Sequence, residues 1–160
     1  MGNMKKHMWI KIIPVVLVLA FIWGNSMLPA TISSAESGRF EQWFRQLFTA
    51  LQSFLSNCGI ELTMDTLVRK CAHVTEYAVL GVLSAVLFLR AGRVRFHWAA
   101  LLCLAAAAAD ETIQIFSDGR GPRVTDVCID FGGALCGICL VLIITAAKQK
   151  RERKKRSRNG

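Results

Sequence analysis

Val127-Cys-Ile-Asp130-Phe-Gly-Gly133-Ala-Leu-Cys136-Gly137-Ile-Cys139-Leu-Val-Leu-Ile-Ile-Thr-Ala-Ala147 is a 21-residue run with a single charged side chain, followed at once by Lys148 and a strongly basic tail. About 20 residues at 1.5 Å rise per residue cross the hydrocarbon core of a bilayer. Three more runs of similar length lie upstream. Ile12 to Leu28 is interrupted by Pro14, Gly24, Asn25 and Ser26, and Cys71 to Leu89 and Phe96 to Phe116 follow it. With 53% apolar and 19% charged residues over 160 positions, the chain is neither disordered nor an ordinary soluble domain. The sequence predicts an all-α fold, a polytopic membrane bundle of four transmembrane helices. The spans fall at about 12–28, 71–89, 96–116 and 127–147. Residues 1–147 form the transmembrane domain and 148–160 a basic tail.

The net charge of +9 is unevenly placed. Lys148 to Arg158 holds eight basic residues against Glu152, Lys5, Lys6 and Lys11 stand near the start, and Arg90, Arg93 and Arg95 share one short connection. The rest of the chain has six basic and ten acidic residues, so the surplus sits beside apolar runs. That is positive-inside patterning, and it argues against a nucleic-acid partner. It predicts both termini and the Arg90–Arg95 connection in the cytoplasm, with the loops at about 29–69 and 117–126 outside. A first run cleaved as a signal peptide near Ser33, Ser34 and Ala35 would leave the same orientation. Its length favours a retained helix.

Within the first outer loop, Phe40, Trp43, Phe44, Leu47, Phe48, Leu51, Phe54 and Leu55 recur at three- and four-residue steps. Arg39, Glu41, Gln42, Arg45, Gln46 and Gln52 take the other face. This predicts an amphipathic helix over 39–55, in the outer interface or as a lid on the bundle. Of the six cysteines, Cys58, Cys71, Cys103, Cys128, Cys136 and Cys139, five fall within or beside apolar runs. They read as small buried packing residues. The Cys136/Cys139 pair lacks the second pair or histidine that a zinc site needs.

Charges in hydrocarbon cost roughly 2.5–3.5 kcal/mol each on insertion scales, so those that occur there call for a reason. Lys70, His73, Glu76 and Tyr77 share one face of the second span. Asp110, Glu111 and Gln114 cluster on the third, and Asp126 and Asp130 lie one turn apart on the fourth. Gly133 and Gly137 continue that last face as a close-approach step. Topology sends all three groups, with Arg120 and Arg123 between them, to the outer leaflet. One account is a structural network in which Lys70, Arg120 and Arg123 neutralise the carboxylates. The other is a ligand-binding pocket built from all eleven residues, with His73, Asp110 and Glu111 as candidate acid–base groups. His73, Glu111, Asp126 and Asp130 are chemically suited to a metal ion, but the neighbouring arginines argue against one, and no metal or cofactor is expected.

In these residues the chain resembles the VanZ-like family of bacterial membrane proteins. The matching pieces are Lys70-Cys-Ala-His73-Val-Thr-Glu76-Tyr77-Ala-Val-Leu80-Gly81, Asp110-Glu111-Thr-Ile-Gln114-Ile-Phe116, Gly119-Arg120-Gly-Pro-Arg123-Val-Thr-Asp126 and Asp130-Phe-Gly-Gly133-Ala-Leu-Cys-Gly137. The family reads K-x-x-H-x-x-x-Y, then D-E-x-x-Q, then R-x-x-x-x-x-D-x-x-x-N-x-x-G. The chain departs from it at Asp130, where an asparagine is usual. The resemblance covers about residues 10–147. It implies a role at the cell envelope, since the family's named member is associated with low-level resistance to teicoplanin. That lipoglycopeptide binds the D-Ala-D-Ala end of cell-wall precursors. Together these readings suggest a protein that binds or modulates envelope precursors, with membrane lipids and a lipid-linked precursor or lipoglycopeptide as partners. An enzyme acting on a lipid-linked anionic substrate is the alternative. A proton-coupled transporter fits less well, because the inner halves of the spans carry no charges.

Overall fold

Thr63 sits in extended backbone just before a helix, and its hydroxyl accepts a hydrogen bond from the Thr66 amide at 3.4 Å. This cap satisfies one of the orphan donors of a helix start. It sets the beginning of the helix at Met64, seven residues before the apolar run at Cys71. The computed structural model describes residues 2–27, 45–58, 63–90, 93–116 and 123–158. Its helices are α1 (Gly2–Ser26), α2 (45–57), α3 (Met64–Leu87), α4 (Phe96–Gln114) and α5 (Val124–Arg158). Between α3 and α4, the two-residue strands β1 (Leu89–Arg90) and β2 (Arg93–Val94) pair antiparallel, Leu89 with Val94 and Arg90 with Arg93.

Four of these helices, α1, α3, α4 and α5, are long and apolar enough to cross a membrane. The fold is the all-α polytopic bundle that the hydropathy pattern predicts. Its core is made of Val15 and Ile22 from α1, Tyr77 and Leu80 from α3, Ala99, Cys103, Ala106 and Ala107 from α4, and Ala134 and Ile138 from α5. The outward faces carry Leu17, Phe21, Leu101, Leu140, Ile143 and Ile144, all more than half exposed. On a soluble protein that apolar surface would be a liability. In a bilayer it is the lipid-facing side.

Helix α1 is a full member of the bundle. Ile22 and Ser26 are completely buried, Trp23 Nε1 donates to the Ala106 carbonyl at 3.4 Å, and Lys11 Nζ donates to the Val86 carbonyl at 3.2 Å. Helix α2 covers the second half of the amphipathic segment; residues 39–44 of that segment and the Ser33–Ala35 stretch lie outside the described residues. Its Phe48, with Leu51 and Leu55, packs on Leu67, Val68 and Cys71 in the first turns of α3. Helix α5 does not stop at Ala147. It continues through the basic tail to Arg158, because no glycine or proline intervenes and Lys, Arg, Gln and Glu are good helix formers.

The cysteines depart from expectation. Only Cys103 is buried; Cys71 is half-buried and Cys58, Cys128, Cys136 and Cys139 are exposed. The turn angle explains the pair on α5. Gly133, Ala134, Gly137 and Ile138 face inward, and at 100° per residue Cys136 and Cys139 fall on the other side.

The tightest contact is between α3 and α5. A β-carbon placed on Gly133 would lie 2.6 Å from the Val74 carbonyl oxygen. One on Gly137 would collide with the Ala78 carbonyl oxygen, and one on Gly81 with that of Ala134. Small residues let two backbones meet this closely, which is how helices associate in lipid. Gly132 and Gly24 have nothing within 4 Å of the same position. We therefore expect Gly137→Ala and Gly81→Ala to lower stability by about 1–3 kcal/mol through overpacking. Gly132→Ala should be neutral or stabilising by up to about 1 kcal/mol through helix propensity. Thermal unfolding in detergent reads this contrast, and equal effects at buried and open glycines would refute the close-approach assignment.

Candidate functional site

The α3–α5 contact continues from glycines into charges toward the start of both helices. Asp130 lies three residues before Gly133, and Asp126 one turn earlier. On the facing helix, Lys70 Nζ forms a hydrogen-bonded ion pair with Asp126 Oδ1. One turn further along α3, His73 Nδ1 lies 4.0 Å from Asp130 Oδ2 and 3.9 Å from Asp110 Oδ2 of α4. Exposure falls along this series. The Lys70 and Asp126 side chains are 23% and 30% accessible, His73 17%, Asp130 3% and Asp110 0%.

Helix α4 delivers its polar residues from its last turns. Gln114 Nε2 donates to Asp110 Oδ2 at 3.0 Å, the i, i+4 neighbour on its own helix, and lies 3.5 Å from the Ser26 hydroxyl of α1. Glu111 Oε2 accepts the Arg123 backbone amide at 2.7 Å, just before α5 begins. A carboxylate there is favoured by the orphan amides and positive end of the helix dipole. Glu76 Oε1 accepts from Asn25 Nδ2 of α1 at 3.2 Å. Tyr77 is fully buried, and its hydroxyl donates to the Ala106 carbonyl at 3.3 Å, which ties α3 to α4.

A cavity of about 180 Å³ opens between α3, α4 and the start of α5. Arg69, Lys70, His73, Glu111, Gln114, Arg123, Asp126 and Asp130 line it, with Thr66 and Ile129. Most of the residues singled out in the sequence thus meet at one end of the bundle. Glu76, Tyr77 and Asp110 lie behind this wall rather than on it, and Arg120 is outside the described residues. The four-residue metal set read from the sequence is not the one that converges. Asp126 is turned to Lys70 and Glu111 to the Arg123 amide, while Asp110 joins His73 and Asp130.

The sequence reading missed three residues. Arg69 lines the cavity, but it precedes the apolar run and so looked like loop. In the sequence Asn25 and Ser26 read only as interruptions of the first apolar run, yet they hydrogen-bond Glu76 and Gln114. Their position at the same end of the bundle as the other polar groups was the available signal.

A family model described as VanZ/LLP1 matches residues 11–145, which takes in every one of these side chains. No curated protein and no solved structure matches the chain.

The Lys70–Asp126 pair is half-buried, so its worth lies between the surface and interior limits. A double-mutant cycle with Lys70→Met and Asp126→Asn should give a coupling of about 1 kcal/mol in detergent unfolding. Strict additivity of the two substitutions would remove the pair as an energetic link between α3 and α5.

Proposed function

The chain belongs to the VanZ/LLP1 family of membrane proteins, and from that premise we propose that its cavity receives the anionic head group of an envelope lipid or lipid-linked cell-wall precursor. The observation that carries this reading is the cavity itself. Arg69, Lys70 and Arg123 stand on its wall among the carboxylates of Glu111, Asp126 and Asp130. Ionisable residues held inside a membrane protein mark ligand and ion sites. Guanidinium and ammonium groups bind phosphate and carboxylate through charge-assisted hydrogen bonds. Lys70 is held by Asp126, and an arriving anion would take over that ammonium while Asp126 turns to a hydroxyl or amide of the ligand.

Size narrows the ligand. Pockets for drug-sized molecules run from about 300 to 1,000 Å³. At about 180 Å³ the cavity suits a phosphate or carboxylate with a small fragment of its carrier, and not an entire lipoglycopeptide. Any protection against a teicoplanin-type drug would then act through the precursor the drug recognises. Basic anchors at Lys5, Lys6, Lys11, Arg90–Arg95 and the tail support a cytoplasmic location for both termini. The cavity then faces the outer leaflet of a bacterial cell membrane, where such precursors are displayed.

A second reading, an enzyme acting on a lipid-linked anionic substrate, is favoured by one observation. His73 stands within 4.0 Å of two carboxylates and on the cavity wall, where a general base would act. Turnover of a labelled lipid precursor by the purified protein would favour it, and saturable binding without turnover would favour the first.

In a sensitive Gram-positive host at matched membrane levels, the wild-type chain should raise the teicoplanin concentration needed for inhibition. Lys70→Gln and Asp110→Asn should abolish that protection, whereas Gly132→Ala should keep it. Equal protection from all four chains would separate the phenotype from the cavity.

A further inference from the structure

We infer that α2 is an interfacial anchor: it rests on the lipid-facing side of α3 and inserts Leu47 and Phe54 among the phospholipid acyl chains of the leaflet on the cavity's side. Helix α2 carries one continuous apolar strip. At 100° per residue, Phe54, Leu47, Leu51, Leu55 and Phe48 fall within an arc of about 120°. The bundle uses one edge of that strip. Phe48 is buried and, with Leu51 and Leu55, packs on Leu67, Val68 and Cys71 of α3. The other edge, Leu47 and Phe54, is 63% and 64% exposed. The opposite side of the helix is polar, with Arg45, Thr49, Ser53 and Ser56 all exposed.

The side of α3 that receives α2 identifies what covers the free edge. Leu67, Val68 and Cys71 are centred about 160° around α3 from Thr66, Arg69, Lys70 and His73, which line the cavity. No described residue of α2 reaches the cavity wall, so this part of the helix is not a lid on it. Helix α5 meets α3 at Val74 and Ala78, α4 meets it at Tyr77, and α1 meets it at Glu76. Those contacts leave one side of α3 open, and along it Thr75, Val79 and Val86 are exposed. Helix α2 sits at the head of that same side. The level also fits, because Cys71 opens the apolar run of α3, where hydrocarbon gives way to head groups. An amphipathic helix at such a boundary keeps its apolar strip in the acyl chains and its polar side among head groups and water.

A second protein is a poorer match for this edge. Two side chains offer far less than the roughly 800 Å² per partner of a stable protein interface, whereas they continue a surface that lipid already covers. The anchor also bears on the cavity. Leu67 and Val68 immediately precede Arg69 and Lys70 of its wall, so lipid that holds α2 in place steadies the turn of α3 that presents both. The inference is independent of the ligand proposed for the cavity, since it concerns α2 and the bilayer alone.

The test uses the full chain in vesicles of phosphatidylethanolamine and phosphatidylglycerol, with photoreactive benzoylphenylalanine in place of Phe54 or, on the polar side, of Ser53. On irradiation the chain labelled at position 54 should gain the mass of a phospholipid, in several times the yield seen at position 53. In the same vesicles, Leu47→Ser combined with Phe54→Ser should speed amide hydrogen exchange across α2 by about tenfold or more, since burial of one large apolar side chain is worth at least that factor. Exchange in α4 and α5 should stay as in the wild type. The cross-link needs no destabilising substitution, so it decides the matter should the serine variant not fold. A cross-link from position 54 to a second chain, or to another part of its own chain, would overturn the inference in favour of a protein-covered edge. Equal lipid yields at positions 53 and 54, or unchanged exchange in a folded serine variant, would overturn it as well.

Discussion

Two backbones in direct contact set the arrangement of this molecule. Gly133 and Gly137 of α5 lie against the carbonyls of Val74 and Ala78, and Gly81 of α3 lies against that of Ala134. No side chain intervenes, so the relative height and rotation of the two helices have little freedom. Lys70 is four residues before Val74, and Asp126 seven before Gly133. Once the glycines meet, the ammonium and carboxylate meet as well, and His73 is brought opposite Asp130 in the next turn. The polar end is thus a continuation of the apolar contact.

The other two spans complete this pair. Helix α4 is rich in alanine and packs with Ala99, Cys103, Ala106 and Ala107, which lets it come close enough for Asp110 to reach His73. Helix α1 contributes little charge but supplies amide and hydroxyl groups at the level where the carboxylates need them. Burying several acids together is unfavourable, and each hydrogen bond from Asn25 or Gln114 reduces that cost. Among the described residues the site is therefore shared by four helices, with its charged side chains on α3, α4 and α5 and on Arg123 just before α5.

Much of this is legible in the sequence because membrane solvation is a severe filter. Long apolar runs give the spans, and any charge inside one stands out. The Gly133/Gly137 step gives the close approach. The co-location of Lys70, His73, Asp110, Asp126 and Asp130 follows from counting turns along helices whose directions alternate. What was not legible depends on local or three-dimensional chemistry. The cap at Thr63 moves the start of α3 into residues that hydropathy assigns to a loop, and with it Arg69 becomes part of the wall. Periodicity places Asp110 and Glu111 side by side, yet only packing sends one to His73 and the other to the Arg123 amide. The cysteines were read from hydropathy, which cannot distinguish a residue facing another helix from one facing lipid.

The unbroken course of α5 past Ala147 also has a bearing on depth. From Asp126 to Lys148 is 22 residues, or about 33 Å of helix. The hydrocarbon core is about 30 Å thick. The basic residues from Lys148 onward are distributed around the whole circumference of the rod, so it has no apolar side on which to lie flat or slip inward. Drawing its first turns into hydrocarbon would cost roughly 2.5–3.5 kcal/mol for each charge. The tail is thus a doorstop. It limits how far α5 can travel along the membrane normal, and with it the height of Asp126 and of Asp130, about 6 Å further along the helix.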